Sequence, residues 1–242
     1  MHVLGTGRIM NTLTPRRLIV CVTLVACLGS ANLADAGAPT EMLRGVFNDA
    51  NRVLTDPTTE HRPLDRLIAI RALFSRVFDF RDAAERSLGH QWQARTTAEQ
   101  QEFTRLFADF VQRGFVYWLA SVAEVDGHAG GATVQFVGES VDHDTATVQT
   151  AILARGGRLI PLTHTLVYRN RRWVVRDVSI EGISLVGSYR SQFDRVIRGS
   201  SYPQLLQLIR ARIANEYPFP QAPSQGAAAV YTPPRESPFE LR

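Results

Sequence analysis

The chain has 242 residues, with 27 basic and 23 acidic side chains, a formal charge of +4 and 45% hydrophobic residues. Three of the basic residues and one acid fall in an amino-terminal leader, so the +2 that remains is too small to mark a nucleic-acid binder, and no nucleic-acid partner is expected. Every basic residue is arginine, a compositional bias that also suits phosphate, because a guanidinium fork matches phosphate oxygens.

The leader reads as an export signal over residues 1–36. Arg8, Arg16 and Arg17 form its positive end, Leu18 to Leu28 is an apolar run too short to span a bilayer, and Ala34-Asp35-Ala36 is a small-x-small cleavage site. The mature chain then begins near Gly37 and the expected location is the periplasm. Leu24-Val25-Ala26-Cys27 offers a second outcome, since it resembles a lipobox and would leave a lipidated Cys27 as the new terminus. Met10 could also be the start, because the signal is complete without the first nine residues. Cys21 and Cys27 are the only cysteines and both lie in the leader, so the mature form is expected to have no disulfide and no cysteine metal site.

Beyond the leader, Leu43, Val46, Phe47, Ala50, Val53 and Leu54 recur at helical spacing, with Thr40 as the expected N-cap of a first helix. Pro63 can open a second helix with the apolar face Leu67, Ile70, Leu73, Phe74, Val77 and Phe78. Asp79 can cap a short third helix ending at Gly89. Thr97-Ala98-Glu99-Gln100 has the capping-box pattern and opens a long helix carrying Phe103, Leu106, Phe107, Phe110, Val111 and Phe115, then Tyr117, Trp118 and Leu119. That helix is apolar over more than half its circumference and needs cover on more than one side.

After Gly127 to Gly131 the hydrophobic period changes to two. Ala132 to Val137, Asp144 to Ala154, Arg158 to Tyr168 and Arg172 to Ile180 are rich in Val, Ile and Thr and are joined by short polar links, which predicts an antiparallel meander of about four strands. Helices resume over Ile183 to Ile197 and Pro203 to Asn215. Residues 217–242 hold six of the twelve prolines and are expected to be a disordered tail. The order of elements predicts an α+β fold in one domain over 37–216, with a helical part near 40–122, a sheet near 132–180 and closing helices near 183–215.

Three segments carry a family resemblance: FDFRDAAERSLGHQW (Phe78 to Trp92), TTAEQQEFTRLFADFV (Thr96 to Val111) and VRDVSIEGISLVGSYRSQF (Val175 to Phe193). In this order, within roughly two thirds of the chain, they resemble the MlaC family of periplasmic phospholipid-binding proteins, also described as toluene-tolerance or Mla-pathway components. The resemblance implies a curved, cone-like sheet of nuclear-transport-factor-2 type, packed with a helical subdomain around an acyl-chain cavity. It also implies a phospholipid carrier serving outer-membrane lipid asymmetry, which exchanges lipid with an inner-membrane ABC transporter complex and an outer-membrane lipoprotein complex. Some members of the family are associated with hopanoid biosynthesis, so a hopanoid or other apolar lipid is the alternative cargo.

The residues can be asked separately whether they suit that task. Exposing two acyl chains to water costs more than about 20 kcal/mol at ~0.8 kcal/mol per CH₂, so a soluble carrier needs apolar side chains converging from several elements. Candidates are Phe103, Leu106, Phe110 and Tyr117 of the long helix, and Val148, Ile152, Leu162, Leu166 and Tyr168 at alternating strand positions. Val178, Ile180, Ile183, Val186, Tyr189 and Phe193 add a third group. Each is equally at home in a plain core. His164 shares a strand face with Leu162 and Leu166, where the family commonly has tyrosine; it is either a satisfied core histidine or a titratable group on the cavity wall. Ser184, Ser188, Tyr189, Arg190, Ser191 and Gln192 can tie the following helix onto the turn at Glu181-Gly182, and Arg190 can pair with Asp177 or Asp194, or face a phosphate.

Catalytic patterns are weak. There is no HExxH, GxSxG or phosphate-binding glycine loop, and Asp142-His143-Asp144 reads as a solvated turn before it reads as a metal site. No catalytic residue, metal or cofactor is expected. The rival class is a small isomerase or dehydratase, with Asp177 as base beside His164.

Overall fold

In a computed structural model, residues 38–59, 62–122, 133–154 and 157–215 are described. The leader, the Gly127 to Gly131 segment and the tail from Tyr217 lie outside the described residues. Four helices come first: α1 (Pro39–Thr55), α2 (Pro63–Val77), α3 (Phe80–Leu88) and α4 (Thr97–Val122). Strands β1 (Val134–Asp142), β2 (Thr145–Leu153), β3 (Leu159–Arg169), β4 (Arg172–Ile180) and β5 (Ile183–Ser184) follow, then α5 (Leu185–Gly199) and α6 (Tyr202–Asn215).

The helix starts show how local chemistry was resolved. Proline occupies the first turn of α1 and of α2, where its missing N–H costs nothing. Thr40 is not the cap of α1; Ala38 takes that position with no side-chain hydrogen bond, and the backbone N–H of Thr40 instead donates to the Glu139 carboxylate of β1 at 2.7 Å. An acid from the sheet thus meets the positive end of the helix. Asp79 does cap α3, accepting from the Asp82 N–H at 3.0 Å, and Gly89 ends it with a positive φ of 56°. The capping box of α4 lies one residue earlier than the sequence pattern suggested. The Thr96 N–H donates to Glu99 at 2.8 Å and the Glu99 N–H returns to the Thr96 hydroxyl at 3.3 Å. Adjacent threonines, each followed three residues later by Glu or Gln, made the two registers equal in sequence.

The sheet is an antiparallel meander in the order β1-β2-β3-β4-β5. It has five strands, because Ile183 and Ser184, expected to begin a helix, pair with Ile180 and Ser179 before α5 starts. Asn170 and Arg171 have φ of 51° and 63°, and Glu181 and Gly182 of 51° and 83°, the two-residue hairpin geometry that follows the twist of the strands. Register shifts between Phe136 and Gly138 and between Thr165 and Leu166 are bulges that bend the sheet. One face is buried, through Ala146, Val148, Thr150 and Ile152 of β2 and Ile160, Leu162, His164 and Leu166 of β3. On the other, Gln149 and Pro161 are exposed.

The long helix α4 touches α2, α3 and α6, and this multiple cover explains its nearly continuous apolar surface. Phe103, Phe107 and Phe110 of α4 are fully buried against Tyr189 and Phe193 of α5, in edge-on and tilted contacts at 5.3–5.9 Å between ring centres. Polar ties fix the sheet to α3: Arg169 donates to Asp79 and Asp82, and Arg176 bonds both oxygens of Asp82, at 2.9–3.1 Å. Burial pushes the Asp82 pKa up, but the hydrogen bond and charge of Arg176, with those of Arg169, outweigh it and hold the carboxyl below its ordinary range.

Candidate functional site

Helix α1 packs on α2, β1 and β2, and α2 packs on α4 and β4, leaving a void between these two helices and the buried face of the sheet. From α1 it is lined by Leu43, Val46, Phe47, Ala50, Asn51 and Leu54, and from α2 by Ile70, Leu73, Phe74 and Val77. Phe115 of α4 and Val134, Ile152, His164, Val175 and Val178 of the sheet complete the wall. The void measures about 80 Å³. Two side chains, Asn51 and His164, bring polar groups to an otherwise hydrocarbon surface, so the chamber can hold apolar matter and offers little for chemistry on it.

Of the side chains singled out in the sequence, Ile152, His164 and Val178 lie on this wall. Phe103, Phe110, Tyr189 and Phe193 belong to the aromatic stack between α4 and α5, while Val148, Leu162, Leu166 and Val186 are buried in the main core. Leu106, Tyr168 and Ile180 pack half-buried against that core, with the Tyr168 ring 5.3 Å from Trp173. Ile183 is 66% exposed. Tyr117 falls on α4 at a position whose side chain lies outside the described residues. The wall is supplied mainly by α1 and α2, whose apolar faces the sequence shows but whose placement over the sheet it does not.

His164 is buried on the wall, with Nε2 2.9 Å from the Thr150 hydroxyl and the Phe47 ring set edge-on at 5.9 Å. Burial pulls its imidazole pKa down to about 4, so the ring is neutral at ordinary pH. Asp177 is elsewhere. It accepts hydrogen bonds from the Ser184 hydroxyl and, at 3.1 Å, from the Val186 N–H at the start of α5. Asp177 pairs with Thr165 whereas His164 pairs with Val178, so alternation sends the two side chains to opposite faces of the sheet. The Asp–His pair that an isomerase or dehydratase would need is not assembled.

Arg190 is exposed and forms no ion pair with Asp177 or Asp194; Asp194 is paired with Arg198. Its guanidinium instead lies over the backbone of Gly89, where an added Cβ would meet Nε at 3.1 Å. His143 and Asp142 bond each other at 2.6 Å on an exposed hairpin turn, and no cluster of three metal-ligating side chains occurs among the described residues. No helix among them is long and apolar enough to cross a membrane.

A family model described as MlaC protein matches residues 44–211, more than half of the chain. No curated protein matches in sequence. Among solved structures, the chain is similar to the phospholipid-binding protein from Ralstonia solanacearum in complex with a phospholipid. The TM-score is 0.62 and the identity 20%, over 74% of this chain and 98% of that one. At that identity the likeness establishes a shared fold.

Proposed function

The chain belongs to the MlaC family, and from that premise we propose that it is an exported phospholipid carrier that shelters acyl chains between α1, α2 and the buried face of the sheet. The headgroup remains in solvent. In this reading the protein works in the periplasm, passing lipid between an inner-membrane ABC transporter complex and an outer-membrane lipoprotein complex, and it catalyses no reaction. The observation that carries it is the apolar void, lined by three helices and four strands, beside a fold shared with a phospholipid-bound protein. At about 80 Å³ the void is well below the roughly 300–1,000 Å³ of a small-molecule site. Loading therefore requires the wall to move outward. Helix α2 is pinned to α4 through Arg71 with Asp109 and Gln112, and through Gln112 with Ser75, so α1 is the wall that can give.

Native mass spectrometry of the mature protein tests the proposal, with a non-covalent adduct of phospholipid mass as the expected result. Lipid extraction identifies the species and separates phospholipid from hopanoid. Ala50→Trp places an indole in the void and should abolish the adduct with the fold retained by circular dichroism, whereas Leu106→Trp, away from the void, should leave it. A protein that emerges empty from phospholipid-rich cells overturns the carrier.

A further inference from the structure

His164 and Thr150 carry more donors than they can use on each other. A neutral imidazole has one N–H donor and one acceptor nitrogen, and a threonine hydroxyl has one donor and two acceptor sites. Their single contact, Nε2 to the hydroxyl at 2.9 Å, consumes one donor. If Thr150 donates to Nε2, the proton on Nδ1 is left over; if Nε2 donates to Thr150, the hydroxyl proton is left over. Either tautomer therefore leaves one donor without an acceptor among the described residues. Both side chains are buried, at 5% and 1% exposure, and the histidine ring lines the void. A buried polar group without a partner is costly, and no other side chain of the wall except Asn51 is polar.

We propose that His164 accepts from the Thr150 hydroxyl at Nε2 and donates its Nδ1–H, on the ring that lines the void, to an oxygen of the bound lipid, and that this oxygen is an acyl ester carbonyl. The inference rests on the carrier reading. If the headgroup stays in solvent, hydrocarbon chains bring no polar atom into the chamber, and the oxygens that travel with them are those of the ester linkages. A carbonyl only accepts, which is the complement the orphan donor requires. The pair thus makes the site selective for ester-linked over ether-linked lipids, although the chains of the two are alike.

The test is a competition. Delipidated protein is mixed with vesicles of diacyl and dialkyl-ether phosphatidylglycerol of matched chain length, repurified, and its bound lipid quantified by mass spectrometry. Wild type should retain the diacyl lipid about fivefold over the ether, the weight of one neutral hydrogen bond. His164→Phe should lose most of that preference. The wild-type comparison stands even if the variant folds poorly, and His164→Leu offers a second replacement. Equal uptake of both lipids by wild type overturns the inference while leaving the carrier intact, because water would then satisfy the donor. A preference unchanged in a folded His164 variant also overturns it. Uptake of neither lipid would instead sink the carrier reading.

Discussion

A histidine with its pKa pulled down to about 4 by burial makes folding sensitive to acid. In the unfolded chain the same ring titrates near 6.5, so between these values the unfolded state binds more protons and stability rises with pH. The contribution of neutral burial is complete above pH 6.5 and is lost as pH falls from there toward 4, by on the order of 3 kcal/mol at most. Melting of wild type should therefore fall more steeply between pH 6.5 and 4.5 than melting of His164→Phe; parallel curves would mean that the ring is not desolvated. At this scale the sequence was only partly legible. His164 and Ile152 were named from strand alternation and Val178 from the third family segment, but the same alternation also named Val148, Leu162 and Leu166, which lie in the core. An apolar side chain facing a void and one facing another side chain leave the same mark in sequence. The distinction depends on which helix lies opposite, and local periodicity carries no such term.

At the scale of elements, the strands were readable because their ends have turn chemistry: Asn170-Arg171 and Glu181-Gly182 close hairpins whose positive φ values set the register. Helix α1 was readable as a helix, yet its attachment was not, since its start is served by Glu139, 99 positions away in the chain. Its other ties to the sheet are the edge-on contact of Phe47 with Phe136 at 6.0 Å and the Arg44 guanidinium 4.3 Å above the Phe136 ring. Removing the acid should loosen α1 selectively. Glu139→Ala is expected to cost about 0.5–1 kcal/mol, the worth of a lost helix cap. Amide exchange over residues 41–55 should then quicken several-fold while α4, enclosed by α2, α3 and α6, is unchanged. Uniform acceleration throughout the protein would show that α1 does not move as a unit and could not serve as the yielding wall.

At the scale of the whole molecule, the sequence order of helices, strands and helices was enough to give the α+β class, and the three family segments turn out to be neighbours in space. Asp79 and Asp82 of the first are bonded by Arg176 of the third or by Arg169 beside it, and Arg190 of the third covers Gly89 of the first. Phe103, Phe107 and Phe110 of the second pack edge-on or tilted against Tyr189 and Phe193. The three segments are one packed unit, and its third segment supplies Val175 and Val178 to the wall of the void.

The ends of the chain decide whether such a unit can travel. A carrier must diffuse between membranes, so export should end with cleavage near Ala36, just before Pro39 opens α1, and leave a free terminus. Lipidation at Cys27 would leave roughly ten residues of tether, reaching at most about 3.5 Å each, and would confine the protein to one membrane as a fixed acceptor. At the other end Leu205, Ile209 and Arg212 of α6 are buried, so a shortened protein must keep the helix through Asn215. If residues 217–242 add nothing to the core, as their proline content predicts, truncation after Asn215 should leave the melting temperature within about 2 °C of the intact protein and lipid content unchanged. Intact mass on envelope fractions reads the first point, because an acylated Cys27 adds a large mass and puts the protein in the membrane pellet. Native mass spectrometry of the truncated form reads the second. Loss of the ligand on truncation would mean that residues beyond 215 close the chamber, and the wall that yields would then be the tail rather than α1.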